Sequence, residues 1–319
     1  MKPTDLQLAP LKGDLERYED VLSKNVNSEH KLMESASRYT LLAGGKRLRP
    51  ALAIACSYAI NGLEPVSQEI LNGACAIELV HAGSLHHDDV IDNATTRRNL
   101  KSINVQFSNT TAILSGDYLL GQASILSAEL GSDIAKILAE TIMELCVGQI
   151  IEQQNLFDTN RTVEQYLKAI EGKTASLFAS TCKIGASLSG AAIQTIEALE
   201  KFGFHLGMTF QIIDDLLDLT STSKILGKPA GNDINEGNYT LPVIFSLQDN
   251  SEIREMLQDP IHLNDILKIV KHKKYVDPTK EIALEHVNLA TDFLNRSEIN
   301  REVKQSFLKL LKGLTQRTT

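Results

Sequence analysis

Two short clusters of carboxylates carry the chemistry available to this chain. In "LHHDDVIDNATTRR", Leu85 to Arg98, three aspartates fall within five residues: Asp88, Asp89 and Asp92. "DDLLD" repeats the pattern at Asp214, Asp215 and Asp218. On a helix, residues i and i+4 share a face, so Asp88 stands over Asp92 and Asp214 over Asp218, with each middle acid turned about 100° away. Like charges at that spacing cost helix stability, and at a helix C-terminus they also meet the unfavourable end of the dipole. One such cluster reads most simply as a solvated helix end. Two copies, each closing a long apolar helix, call for a positive counterpart. Hard oxygen ligands suit Mg²⁺, which keeps part of its water and bridges one or two carboxylates to phosphate oxygens. Two opposed triads across a cavity could hold a diphosphate through several Mg²⁺ ions. Six carboxylates alone repel one another; with metal and diphosphate the charges come close to balance.

Basic residues supply the rest. "GGKRLRP", Gly44 to Pro50, sets Lys46, Arg47 and Arg49 beside two glycines that let backbone come close to a ligand. Arg97 and Arg98 follow the first triad, and Lys173-Thr174 and Gly227-Lys228-Pro229 come later. Arginine forks match phosphate oxygens. Singly, each is an ordinary surface base; placement beside the triads is what distinguishes them. No Ser-His-Asp or Cys-His arrangement stands out. His86 and His87 adjoin the first triad, but Mg²⁺ prefers oxygen, so they read as polar packing residues rather than ligands.

The elements that must position these groups are helices. Ile196, Leu199, Gly203, Leu206, Phe210, Ile213 and Leu217 keep an i, i+3, i+4 spacing up to the second triad, and similar stripes run through 68–92, 110–130, 133–155 and 279–294. No stretch alternates like a strand. Breaks fall at "NGLEPVS", "LGSD", "FDTNR", "QDNSE" and "YVDP". The one long polar gap, Thr220 to Pro242, has the length of a functional loop. The pattern is that of a single large all-α domain over residues 1–319.

At 319 residues, 43% hydrophobic and 23% charged, the chain has ample material for a core. A net charge of −8, from 40 acids and 32 bases, argues against a nucleic-acid partner. Cys56, Cys75, Cys146 and Cys182 are scattered in apolar stretches and read as buried thiols in a reducing compartment. With no signal-like start and no apolar run long enough to span a bilayer, a cytoplasmic location is expected.

Five motifs in order, "GGKRLRP", "LHHDDVIDNATTRR", "GKTASL", "FQIIDDLLD" and "GKPAGNDINEGNYTLP", resemble those of the trans-isoprenyl diphosphate synthases, the polyprenyl synthetase family, over residues 30 to 245. The resemblance implies an all-helical bundle around a deep central cavity, and Mg²⁺-dependent condensation of an allylic diphosphate with isopentenyl diphosphate. It implies that Asp88, Asp89, Asp92, Asp214, Asp215 and Asp218 hold Mg²⁺ and the allylic diphosphate, helped by Arg97, Lys173 and Lys228. Lys46, Arg49, Arg98 and His81 would hold isopentenyl diphosphate, and Thr174 and Gln211 would stabilise the allylic cation. Two positions depart from the pattern: Asn238 where the family usually has Lys, and Asn99 where it usually has Gly. If Asn238 faces the phosphates, Asn238→Lys should tighten allylic binding.

Small residues at Gly83 and Ser84, where farnesyl-producing members carry bulky aromatics, imply a product of geranylgeranyl length or longer, its tail passing Val80 and Ile77. Helix-rich chains of this size with a long apolar surface helix commonly pair two-fold, so a dimer is expected, with the 110–130 stripe as a candidate face. The resemblance extends to the catalytic subunits of two-component hexaprenyl and heptaprenyl synthases, which leaves a heteromeric partner as the alternative to a homodimer. A terpene cyclase or head-to-head synthase would need neither the second triad nor "GGKRLRP".

Overall fold

The computed structural model describes residues 3–42, 44–98, 100–220 and 231–316, and these are helical nearly throughout. A 3₁₀ turn at Pro3–Leu6 leads into α1 (Leu11–Asn25), α2 (Lys31–Leu42), α3 (Leu48–Asn61) and α4 (Gln68–Ile91). A two-residue hairpin follows, β1 (Thr96–Arg97) with β2 (Leu100–Lys101), the sole sheet among the described residues. Next come α5 (Ile103–Gln106), α6 (Asn109–Glu129), α7 (Ser132–Gln154) and α8 (Val163–Ile170). A π-helical turn, Glu171–Ala175, joins α8 to α9 (Ser176–Leu188), and α10 (Ile193–Thr220) carries the second triad. The chain closes with α11 (Asn232–Asn235), α12 (Leu241–Asp249), α13 (Glu252–Met256), α14 (Leu263–Val270), α15 (Lys273–Arg296) and α16 (Arg301–Thr315).

By backbone proximity the chain divides into two compact units. The first comprises Met1–Ile142, Leu177–Gly203 and Phe293–Leu310; the second comprises Met143–Ser176, Phe204–Asp292 and Leu311–Thr319. The all-α expectation holds for both. Two local readings do not. "YVDP" is no break: α15 runs through Pro278. Proline that close to a helix start loses one hydrogen bond while keeping a helical φ, and Thr279 and Ala283 bury the face that follows. Cys146 is exposed, although the other three cysteines are buried.

In the first unit α4 is the axis. Ser67 caps its start by accepting from the Ile70 amide, and its apolar residues are buried along most of the length. Its most extensive packing is on α6. There Gly83 meets Gly116: a Cβ on Gly83 would stand 3.0 Å from the Gly116 carbonyl oxygen, and one on Gly116 would strike the His87 ring. Gly83 thus has a packing reason to be small, since two backbones meet there. Val80 and Ile77, one and two turns earlier, are fully buried. The open stripe of α4 is instead His81, Ser84, Leu85 and Asp88, all half-buried at i, i+3, i+4 and i+7.

In the second unit Ile212 and Ile213 of α10 pack with Tyr166, Tyr239, Val243, Ile244 and Val270. Gly148 of α7 and Gly172 of the π turn let the two segments touch backbone to backbone. A Cβ on Gly172 would lie 2.6 Å from the Glu144 carbonyl oxygen, and one on Gly148 would strike the Lys173 amide.

Gly83→Ala tests the α4–α6 crossing. The added methyl meets a carbonyl that cannot rotate away, so the variant should lose ~1–3 kcal/mol, the scale of core overpacking. Chemical denaturation read by circular dichroism measures this; an unchanged midpoint would show that the crossing tolerates a side chain.

Candidate active site

Helix α4 stops at Asp92, whose amide donates to the Asp88 carbonyl at 2.8 Å. Asn93, at φ 49°, then turns the chain through the left-handed region. The hairpin returns Arg97 to the helix end, where its Nε donates to Asp89 Oδ1 at 2.5 Å. Asp89 Oδ2 accepts from the Ile103 amide at 3.1 Å, and the side chain is completely buried. Asp88 is half-buried and Asp92 exposed. The triad thus divides by burial: the middle acid is enclosed by protein donors and the outer two are nearer the surface. His86 is buried, its Nδ1 2.9 Å from Ser115 Oγ. Burial, with His87 and Arg97 nearby, lowers its pKa to about 3, so it is a neutral packing residue at ordinary pH.

A basic cluster lies in the same unit. Arg47, at φ 43° before α3, is spent on structure: it pairs with Glu19 at 2.6 Å and with Glu78 at 3.2 Å. Arg49 stacks 4.7 Å over the Phe178 ring, and its buried Nε has no hydrogen-bond partner among the described residues. Burial lowers its pKa to about 10, against the pull of Glu78. Arg98, at φ 53°, donates to the carbonyls of Thr40 (3.1 Å) and Gly44. Gly45 gives Arg98 room, since a Cβ there would stand 3.0 Å from its Nη1. Burial, then Arg49, Arg98, Arg97 and Arg47, hold the His81 pKa well below its usual value, so His81 offers a neutral imidazole. Lys46 is exposed. Glu78 is buried: burial raises its carboxyl, and Arg47, Arg49 and Arg98 pull it down. It is the counter-charge that lets so many cations assemble.

The second unit repeats the division of labour. Asp215 is buried and accepts twice, from Tyr166 Oη at 2.6 Å and from Gln211 Nε2 at 2.6 Å, while Asp214 is exposed and Asp218 half-buried. Gln211 Oε1 in turn accepts from Thr174 Oγ1 at 2.8 Å, bringing together the two groups expected to face the allylic cation. Thr174 and Lys173 sit on the π turn, an irregularity common at functional sites. Lys173 Nζ lies 2.5 Å from Glu152 Oε1. Asn238 is turned onto Arg161 and Glu152, with its oxygen accepting from Arg161 and its amide donating to Glu152. Lys228 and Asn99 lie outside the described residues.

The donor set suits a hard divalent cation. Burial raises the Asp215 carboxyl despite its two hydrogen bonds, and Asp214 and Glu152 push the same way. Asp233 is raised by burial, then by Asp215, Asp218, Glu236 and Glu152. Carboxylates that raise one another are the setting that a cation relieves. Among the described residues no three His, Cys, Asp or Glu side chains form a ready cage. Among the same residues no helix is long and apolar enough to cross a membrane.

Comparison with known proteins accords with this geometry. The family model described as "Polyprenyl synthetase" matches residues 30–276. The chain belongs to the polyprenyl synthetase family. It is a prenyltransferase of the trans-polyprenyl diphosphate synthase class. The synthase is 36% identical over 292 residues to a "Prenyl transferase" of Cyanophora paradoxa, covering 90% of each chain. It is 41% identical over 241 residues to "Heptaprenyl diphosphate synthase component 2" of Geobacillus stearothermophilus, covering 75% of this chain and 74% of that one. Among solved structures, heptaprenyl diphosphate synthase from Staphylococcus aureus superposes with a TM-score of 0.89 at 30% identity, covering 97% and 99% of the two chains.

The synthase also uses residues that motif reading passed over: Glu78, Glu152, Arg161 and Tyr166. Each is a lone polar residue in a helical stripe or a loop, with no neighbour in sequence to mark it. Glu78 carries the one available signal, a carboxylate inside the apolar run "GACAIELV", where a buried charge must be answered.

Proposed function

We propose that the synthase condenses an allylic diphosphate with isopentenyl diphosphate head to tail, to products of geranylgeranyl length or longer. The observation that carries this reading is the twice-repeated helix end, in which the middle acid is buried on protein donors while the outer acids are half-buried or exposed. Asp88, Asp92, Asp214 and Asp218 are assigned to Mg²⁺ and the allylic diphosphate, with Arg97, Lys173 and Lys228. Asp89 and Asp215 are assigned a positioning role, holding Arg97 and Gln211. Lys46, Arg49, Arg98 and His81 take the diphosphate of isopentenyl diphosphate. Mg²⁺, when bound, supplies positive charge at the phosphate oxygens. The chain's own part is to orient the two substrates and to offer donors where negative charge grows on the departing diphosphate. Thr174 and Gln211 present oxygens beside the allylic carbon as its positive charge develops. The proton lost from isopentenyl diphosphate passes to the released pyrophosphate.

Product length is assigned to Ser84. It lies on the open stripe of α4, one turn before Asp88 and so ~6 Å from it along the axis, and its hydroxyl donates to the His81 carbonyl at 2.9 Å. A second reading, the catalytic component of a two-component synthase, is favoured by the 41% identity to a protein named as such a component. Radiolabelled isopentenyl diphosphate with farnesyl diphosphate and Mg²⁺ tests all three points. The purified chain should give a ladder of prenyl diphosphates, lose it in excess chelator, and give shorter products as Ser84→Phe. Turnover in chelator would exclude the metal assignment, an unchanged ladder from active Ser84→Phe would exclude the Ser84 wall, and turnover only with an added subunit would favour the second reading.

A dimer is proposed from exposed apolar side chains. In the first unit, α6 presents Ile113, Leu114 and Ile125; in the second, α7 presents Met143, Val147 and Ile150 at helical spacing. Stripes of this kind on a water-soluble protein mark association surfaces. Sedimentation equilibrium should give twice the chain mass, and Met143→Glu with Val147→Glu should give monomer. A wild-type monomer at assay concentration would contradict the proposal.

A further inference from the structure

In the second unit the polar contacts around the second triad close into a ring. Thr174 donates to Gln211, which donates to Asp215. Tyr166 donates to the other Asp215 oxygen, and the Arg161 guanidinium lies 5.5 Å from the centre of the Tyr166 ring. Arg161 Nη1 donates to Asn238 Oδ1 at 2.6 Å and to the Tyr239 carbonyl at 3.0 Å. Asn238 Nδ2 donates to Glu152 Oε2 at 3.3 Å, and the other Glu152 oxygen holds Lys173, the chain neighbour of Thr174.

Asn238 is the joint in this ring where a neutral side chain hydrogen-bonds a cation on one side and an anion on the other. A guanidinium can only donate and a carboxylate can only accept, so the orientation of the amide is dictated by its neighbours. The backbone fixes it too. Gly237, at φ 77° with the Phe157 ring against it, leaves no room for a Cβ, and the Asn238 amide donates to the Asp233 carbonyl at 2.8 Å. Arg161 is buried and forms no ion pair among the described residues. Its direct contacts are an amide oxygen, a carbonyl and a ring face, with Glu152, Asp215 and Asp158 acting on its charge through space.

A lysine at 238 would have donors only. It would leave Arg161 without its acceptor, set two cations within hydrogen-bond range in a buried place, and compete with Lys173 for Glu152. We infer that Asn238 is a positioning residue, matched to Arg161, which fixes Lys173 through Glu152, so that Asn238→Lys weakens allylic diphosphate binding. This reverses the expectation drawn from the sequence, and it rests on Lys173 being a ligand of that diphosphate.

Steady-state kinetics on five variants, Arg161→Gln alone among them, test it, with farnesyl diphosphate and isopentenyl diphosphate varied separately and folding checked by thermal melting. Lys173→Ala tests the underlying assignment: an unchanged KM for farnesyl diphosphate would remove Lys173 from the site, whatever Asn238 does. With that KM raised, Asn238→Lys should raise the farnesyl KM about tenfold, the scale for losing a partner that orients a ligand-binding side chain, and leave the isopentenyl KM alone. Arg161→Gln combined with Asn238→Lys keeps the net charge and gives the lysine an acceptor, so it should recover most of the loss. Asn238→Leu, which removes both amide atoms without adding charge, should raise the farnesyl KM in the same direction and decides the matter if Asn238→Lys does not fold. An unchanged or lower farnesyl KM in folded Asn238→Lys, or in Asn238→Leu where the lysine variant does not fold, would overturn the inference. Purely additive effects in the double variant would overturn the match to Arg161.

Discussion

A carboxylate buried beyond the reach of water must find its donors in the protein, and that constraint organises the acidic helix end in each unit. Asp89 is supplied by Arg97 and the Ile103 amide, Asp215 by Tyr166 and Gln211. Each middle acid thereby fixes a neighbouring side chain: Arg97 in the one case, Tyr166 and Gln211 in the other. Because the middle acid is turned about 100° from the first acid and about 60° from the third, anchoring it also orients the helix face that carries the other two. The strain of gathering like charges at the negative end of a helix dipole is left on those outer acids, where a divalent cation would relieve it.

Close backbone contacts seat the anchor within each unit. At the α4–α6 crossing, Gly83 and Gly116 bring backbones together and so seat the last turns of α4. Gly148 and Gly172 do the same for the π turn that bears Lys173 and Thr174. Buried counter-charges complete the arrangement. Glu78 holds a cluster of arginines that would otherwise drive one another apart, while Glu152 holds Lys173. Arg49, stacked on Phe178 with no carboxylate in hydrogen-bond contact among the described residues, keeps its charge available to an anion.

The helices and the groups that could meet a ligand were legible in the sequence, because both are local. Apolar spacing marks α4, α6, α7 and α10, and "DDVID", "GGKRLRP" and "GKTASL" crowd chemically matched residues into short windows. What was not legible depends on partners distant in the chain. Spacing gives Asp88 and Asp89 the same standing; only the return of Arg97 and the Ile103 amide separates them. Gly83 looked like a channel wall because a glycine is equally small beside a ligand and beside a backbone, and its neighbour Gly116 is 33 positions away. Asn238 looked like a lost lysine because Arg161, which makes an amide the better choice, lies 77 residues upstream.

The division between middle and outer acids is tested most directly by comparing Asp88→Asn with Asp89→Asn for two properties, thermal stability and Mg²⁺-dependent binding of inorganic pyrophosphate by calorimetry. If the outer acid meets the metal and the middle acid holds the fold, Asp88→Asn melts like the wild type and loses Mg²⁺-dependent pyrophosphate affinity. Asp89→Asn, whose amide nitrogen would face the Ile103 N–H, should lose ~1–3 kcal/mol of stability, the scale for an unsatisfied buried donor. Two variants with wild-type stability and equal losses of affinity would contradict the division and return Asp89 to the metal.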